Sequence, residues 1–175
     1  DEAMQEYQKA LWIQIKALGQ EHSSTADTYQ CIGNVLCDQN KYEEAMQKYQ
    51  KALEIKLRAL GPKDSSTADT YHCIGNVLRN QRKYDEAMQE YQKALWIQIK
   101  ALGQEHSSTA DTYQCIGNVL CDQNKYEEAM QKYQKALEIK LRALGPKDSS
   151  TADTYHCIGN VLRNQRKYDE AMQEY

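Results

Sequence analysis

The sequence predicts an all-α solenoid, a stack of antiparallel helix hairpins. Three observations carry that prediction. Residues 1–84 and 85–168 are identical, and inside each copy a weaker 42-residue repeat recurs, Asp1–Tyr42 returning as Glu43–Tyr84 with 13 changes. A fixed period of this size marks units that stack on their neighbours. Apolar residues inside each unit fall at helical spacing, and no segment alternates as a strand would. Gly19, Gly61, Gly103 and Gly145 each close a long apolar stripe, with Pro62 and Pro146 behind two of them. The expected organisation is one array with units at about 1–42, 43–84, 85–126 and 127–168, and a partial unit at 169–175.

Residues Ser23–Gly61 show how one unit is written. Ser24-Thr25-Ala26-Asp27 reads as a Ser-x-x-Asp helix start. Tyr29, Ile32 and Leu36 then form a stripe that Cys31 and Val35 widen, which predicts a first helix over about 25–39. Asn40 tolerates the left-handed conformation that ends a helix, whereas the matching Arg82 and Arg166 would each adopt it at roughly 1 kcal/mol. The second helix is expected over about 41–60, with Tyr42, Ala45, Tyr49, Ala52, Leu53, Leu57 and Leu60 on one stripe. Glu43 and Glu44 at its start, and Lys56 and Arg58 near its end, complement the helix dipole. Neither helix buries its stripe alone; two per unit, stacked on the next pair, bury both.

Composition narrows the function. A net charge of −3 and a pI near 5.8 disfavour a phosphate-binding surface, so no nucleic-acid partner is expected, an RNA-binding helical repeat included. No apolar run approaches the ~18 residues that span a membrane. No signal-peptide pattern is visible, and a stretch opening on Asp1 reads as a cut from a longer chain. Six cysteines lack close pairs such as C-x-x-C, and four of them are one position repeated every 42 residues. They read as reduced thiols in a cytoplasmic setting, with no metal site.

Several residues read first as packing. Gly33, Gly75, Gly117 and Gly159 sit mid-helix, where glycine costs about 1 kcal/mol relative to alanine. Close approach of the second helix explains them, with Ala45 and Ala52 as the facing small residues. Tyr29, Tyr42 and Tyr49 belong to the packed stripes, their hydroxyls reaching solvent or a partner. Trp12 and Trp96 stand where the other unit type has Glu54 and Glu138, so the site is expected to be at least half exposed. No catalytic set emerges: Ser23, Ser24 and Thr25 are explained by capping, and His72 has no nucleophile to activate. The histidines, cysteines and aspartates recur by period, as scaffolding does, so no enzyme and no cofactor are expected.

Tyr29, Ile32, Gly33 and Leu36, followed by Ala45, Tyr49 and Ala52, resemble the tetratricopeptide pattern W-x2-L-G-x2-Y, A-x3-F, A. Tyr29 stands at its Trp and Leu36 at its Tyr. The 42-residue period, with extra helix over Leu53–Leu60 and the loop Gly61–Ser66, is similar to kinesin light chain repeats and to arrays of near-identical units. The resemblance implies a right-handed superhelix whose first helices line a concave groove for an extended peptide or a partner helix.

Helix geometry gathers Asp27, Gln30, Asn34, Cys37 and Asp38 on the face opposite the main stripe, and the family's contact positions fall on about the same residues. The next unit offers Asp69, His72, Asn76, Arg79 and Asn80, and the second copy adds Asn118, Asn160 and Arg163. The unit types diverge here (Gln30/His72, Cys37/Arg79, Asp38/Asn80) while packing residues stay constant. The expected function is a protein-interaction scaffold. The alternative is a self-assembling array joined head to tail through Tyr7 and Leu11 at one end and Tyr155, Ile158 and Leu162 at the other.

Overall fold

Local signals set each helix before any packing does. The computed structural model describes residues 2–173, with side chains as far as Arg166. Among these, all regular structure is helical: α1 (Glu2–Leu18), α2 (Ser23–Asp38), α3 (Tyr42–Ala59), α4 (Ser65–Asn80), α5 (Tyr84–Ala101), α6 (Ser107–Asp122), α7 (Tyr126–Ala143) and α8 (Ser149–Gln173). The chain divides into two compact units, Asp1–Ile97 and Gln98–Tyr175, the division falling within α5. In the first, α1 packs on α2, α2 on α3, and α4 on both α2 and α3; in the second, α6 packs on α7, and α8 on both.

The short turn inside a hairpin is a left-handed cap. Asn40 adopts φ 59°, the Asn40 N–H donates to Cys37 O, and the Lys41 N–H donates to Leu36 O at 2.8 Å. Arg82 makes the same turn at φ 61° despite its side chain. Arg166 does not: α8 runs unbroken through it to Gln173. The strained φ at Arg82 is offset by the packing of Tyr91, Ala94 and Ile97 on α4. At Arg166 no described residue packs on the matching Gly159, and the unstrained helical conformation prevails. Of the expected partial unit 169–175, residues 174 and 175 lie outside the described residues.

The long turn between hairpins opens on Gly61 at φ +90°, a conformation glycine adopts without steric penalty. The Thr67 hydroxyl donates to Gly61 O at 3.0 Å, tying the end of α3 to the start of α4. Thr25 does the same at Gly19, Thr109 at Gly103 and Thr151 at Gly145. The N-caps differ from expectation. Ser24 lies within the first turn of α2, and the cap is His22, whose Nδ1 accepts from the Ser24 N–H. His106 repeats this on α6, and Asp64 caps α4. The reason is backbone shape: residue 22 has the extended φ/ψ of −77°/142° that a cap requires, and Thr25 is already committed to Gly19.

Each hairpin closes on a small-and-aromatic core. Ala26, Ala52 and Ile55 are buried under Tyr29; Ala68, Ala94 and Ile97 under Tyr71; Ala110, Ala136 and Ile139 under Tyr113. Gly33 does not face an alanine as expected. It faces the ring of Tyr49, whose Cε1 would lie 2.6 Å from a Cβ added at Gly33.

Candidate functional site

Of the residues gathered by helix geometry, Gln30 and Asn34 on α2 meet residues of α4 along one face. Two bonds show the helices side by side: Thr70 Oγ1 donates to Gln30 Oε1 at 2.7 Å, and the Cys73 thiol points to Asn34 Oδ1 at 3.9 Å. The second unit repeats both, Thr154 to Gln114 and Cys157 to Asn118.

Lys56 organises this face, and it is not the solvated helix-end cation expected from its place in α3. It is buried, with 1% of its surface exposed. Its ammonium meets Gln30 Oε1 at 2.7 Å, Asp27 Oδ1 at 3.0 Å and Ser66 O at 3.2 Å, one acceptor for each of its three hydrogens. A buried charge persists only when paired and hydrogen-bonded in this way. Lys140 repeats the arrangement with Gln114, Asp111 and Ser150 O. The other unit type replaces this lysine with glutamine, and Gln98 Oε1 takes the Thr112 hydroxyl instead. The alternation Lys56/Gln98 was the available signal, since only a buried position needs so specific a polar partner.

Tyr49 organises the rest. Its hydroxyl donates to Asn34 Oδ1 at 2.7 Å and stands 3.5 Å from Cys37 Sγ. Burial is the first cause that pushes the Tyr49 phenol far above its ordinary range; the Cys37 hydrogen bond and the charges of Cys73, Cys37 and Asp38 add to it. The phenol therefore stays a donor. Burial also raises the Cys37 thiol, against a smaller lowering by its Tyr49 bond, so Cys37 remains a thiol rather than a nucleophilic thiolate. Tyr91 bonds Asn76 and Tyr133 bonds Asn118 in the same way, at 2.6 and 2.7 Å. Each amide oxygen is thus turned towards the core, and the amide N–H2 is what these residues present outward.

The other predicted residues fall as follows. Asp38, Asp69, Asn80 and Arg163 are exposed, and Arg79 and Asn160 are half-buried. The His72 ring meets Tyr91 edge-on at 5.5 Å. Tyr7, Leu11 and Ile158 are half-buried, while Tyr155 and Leu162 stand exposed on α8. Trp12 and Trp96 are more than half exposed, as their exchange with glutamate suggested. A cleft of about 500 Å³ beside Trp96 is bounded by Pro62, Tyr71 and Lys93, and contains none of the α2–α4 face. None of the six cysteines forms a disulfide, and all are half-buried. Among the described residues no three His, Cys, Asp or Glu converge to hold a metal ion, and no helix is long and apolar enough to cross a membrane.

Comparison with known proteins agrees with this fold. Models of the tetratricopeptide repeat match residues 25–65, 66–142 and 108–175. No curated protein sequence matches the chain. Among solved structures, BtubC (BKLC) from P. vanneervenii superimposes with a TM-score of 0.80 at 18% identity over 95% of this chain. The chain spans 66% of that protein's length. Two structures of a putative kinesin light chain from Podosopora anserina with nearly identical TPR-like repeats, one of them a point variant, superimpose with TM-scores of 0.74 and 0.75. Each is 19% identical and matches 98% of this chain, which covers 82% and 81% of theirs. At these identities the likeness is one of fold.

Proposed function

The chain belongs to the tetratricopeptide repeat family, and we propose that it is a non-enzymatic scaffold that binds an extended peptide along the face shared by its first helices. Repeats of this family generally mediate protein–protein contact. One observation carries the finer reading: within the first compact unit Tyr49 and Tyr91 turn the amides of Asn34 and Asn76 so that hydrogen-bond donors face outward once on α2 and once on α4, and within the second Tyr133 does the same at Asn118. Regularly spaced donors suit the free carbonyls of an extended chain; a helix has already used its own. Gln30, with its oxygen occupied by Lys56 and Thr70, adds a donor of the same orientation. Asp27, Asp38, Asp69, His72, Arg79, Asn80, Asn160 and Arg163 would supply side-chain selectivity. Six cysteines that form no disulfide suit a reducing compartment under this reading.

Panning a random-peptide library on the chain tests it. Selected peptides should bind an Asn34→Leu/Asn76→Leu variant at least about tenfold more weakly, consistent with losing hydrogen bonds of roughly 1 kcal/mol each. Peptides that bind both proteins equally would overturn the reading, provided circular dichroism shows the variant fully helical.

A second reading is association between copies. It is supported by Tyr155 and Leu162 exposed on α8 and Ile13 exposed on α1, with Tyr7, Leu11 and Ile158 half-buried beside them. Sedimentation over a range of concentrations tests it, and a constant monomer mass would refute it.

A further inference from the structure

We infer that the cleft beside Trp96 is a binding site for a flat aromatic carboxylate, set apart from the α2–α4 face. The inference comes from two places where the second helix of a hairpin meets the long turn before it. At the first, α3 meets the turn between α1 and α2, and four charges bridge the junction. Arg58 Nη1 meets Glu21 Oε2 at 3.1 Å, and Arg58 Nη2 meets Glu54 Oε1 at 2.7 Å. Lys51 Nζ lies 3.3 Å from Glu54 Oε2 and 4.0 Å from Glu21 Oε1. The Glu21 carboxylate thus reaches from the turn to two cations on α3. Within the second compact unit, Arg142 repeats both bonds, to Glu105 and Glu138, at the same distances.

Where α5 meets the turn between α3 and α4, the matching positions hold other residues. Glu21 becomes Lys63 and Glu54 becomes Trp96, while Lys51 and Arg58 return as Lys93 and Lys100. Neither carboxylate of the bridge is kept. The junction opens there into the cleft of about 500 Å³, lined by Pro62, Tyr71, Trp96 and the buried Ile97, with the exposed amides of Gln89 and Gln92. Clefts of this size, apolar with a few polar groups, suit small molecules, and the Trp96 and Tyr71 rings offer faces to a flat body. Charge says what that body carries. Glu90 bonds Lys93 at 2.7 Å, and Lys93 also lies 5.4 Å over the Tyr71 ring. Asp64 is committed to the N-terminus of α4, where it accepts from the Ser66 N–H at 2.8 Å. Lys63, exposed on the rim beside Pro62, is the cation left over. An aromatic carboxylate supplies there what Glu21 supplies at the first junction: its ring lies on Trp96 and its carboxylate lies between Lys63 and Lys93.

Nuclear magnetic resonance of the indole N–H groups tests this on the full chain, which has two tryptophans. Trp12→Phe assigns the Trp96 signal. Titration with naphthoate should move that signal to saturation. Naphthamide, the same ring without the charge, should bind at least about tenfold more weakly. Lys63→Glu installs the residue type that the chain already carries at Glu21, so the turn tolerates it, and its own carboxylate takes the ligand's place. That variant should bind naphthoate at least about tenfold more weakly, with unchanged circular dichroism. A Trp96 signal that naphthoate leaves unmoved would overturn the site. Equal affinity for the two compounds, or for naphthoate before and after Lys63→Glu, would overturn the assignment of a carboxylate ligand.

Discussion

The ring of Tyr49 lies so close to Gly33 that a Cβ on the glycine would stand 2.6 Å from Cε1 and 2.8 Å from Cδ1. The contact joins α2 to α3, and Gly75–Tyr91 and Gly117–Tyr133 repeat it. It explains why a helix-breaking residue sits mid-helix: the backbone there is the floor on which an aromatic ring rests.

The first prediction sets this glycine against its copy on α8. Gly33→Ala should destabilise the chain by about 1–3 kcal/mol, because a buried ring must move to admit a methyl. Gly159→Ala, with no described atom within 4 Å, should stabilise it by up to about 1 kcal/mol through helix propensity alone. Urea denaturation of both variants reads the opposite signs, and equal effects would refute the assignment.

The Tyr49 hydroxyl is predicted to matter separately from its ring. Tyr49→Phe keeps the ring on Gly33 and should cost about 1 kcal/mol, whereas Tyr49→Ala should cost about 3–5 kcal/mol. Tyr49→Phe should also free the Asn34 amide to turn, visible as a changed side-chain N–H2 resonance. An unmoved resonance would show that the phenol does not hold the amide.

Removing the partner of Lys56 should be worse than removing Lys56. Asp27→Ala leaves a buried ammonium without its carboxylate and should cost about 1–3 kcal/mol, discounted because the aspartate side chain is 61% exposed. Lys56→Met fills the same space without the charge and should cost less, about 1 kcal/mol or under. Denaturant midpoints that rank the two in reverse order would contradict the burial of the lysine.

His22 caps α2 at 3.2 Å, while Asp64 caps α4 at 2.8 Å. A carboxylate also complements the positive end of the helix dipole. His22→Asp should therefore stabilise the chain by about 0.5 to 1 kcal/mol. Thermal melting of the single and of the His22→Asp/His106→Asp variant should show two steps of similar size. A destabilised variant would mean that residue 22 is held by some other contact.

Alkaline stability follows from the two raised groups. In the folded chain Cys37 and Tyr49 keep their protons above the ordinary values of 9.0 and 10.0, first because burial disfavours the charged form. At high pH the unfolded chain loses these protons first and is favoured. Their contribution is present in full below those ordinary values and is lost as pH rises beyond them. Urea midpoints should be flat in this respect near neutrality and fall above about pH 10. A Cys37→Ser/Tyr49→Phe variant should show a shallower fall; parallel curves would disprove the assignment.

Much of the fold was legible in one dimension. Helix extents follow from short-range spacing, and the stops at Gly61 and Asn40 from the left-handed backbone those residues tolerate. The packed tyrosines and mid-helix glycines follow from repetition, since a position used once per unit in every unit is packing. The face bearing Asp27, Gln30 and Asn34 was legible for the same reason: helical geometry alone brings them together.

Other features depended on which side chain meets which across a hairpin, and local pattern carries no record of that. Lys56 reads as a helix-end cation until α2 and α4 surround it with Asp27, Gln30 and Ser66 O. The outward turn of the Asn34 amide exists only because Tyr49 arrives from α3. The uninterrupted α8 has the sequence of α4 and differs because no described helix packs on Gly159. Identical residues take different conformations there, since packing of the following helix, rather than local preference, offsets the strain of the turn.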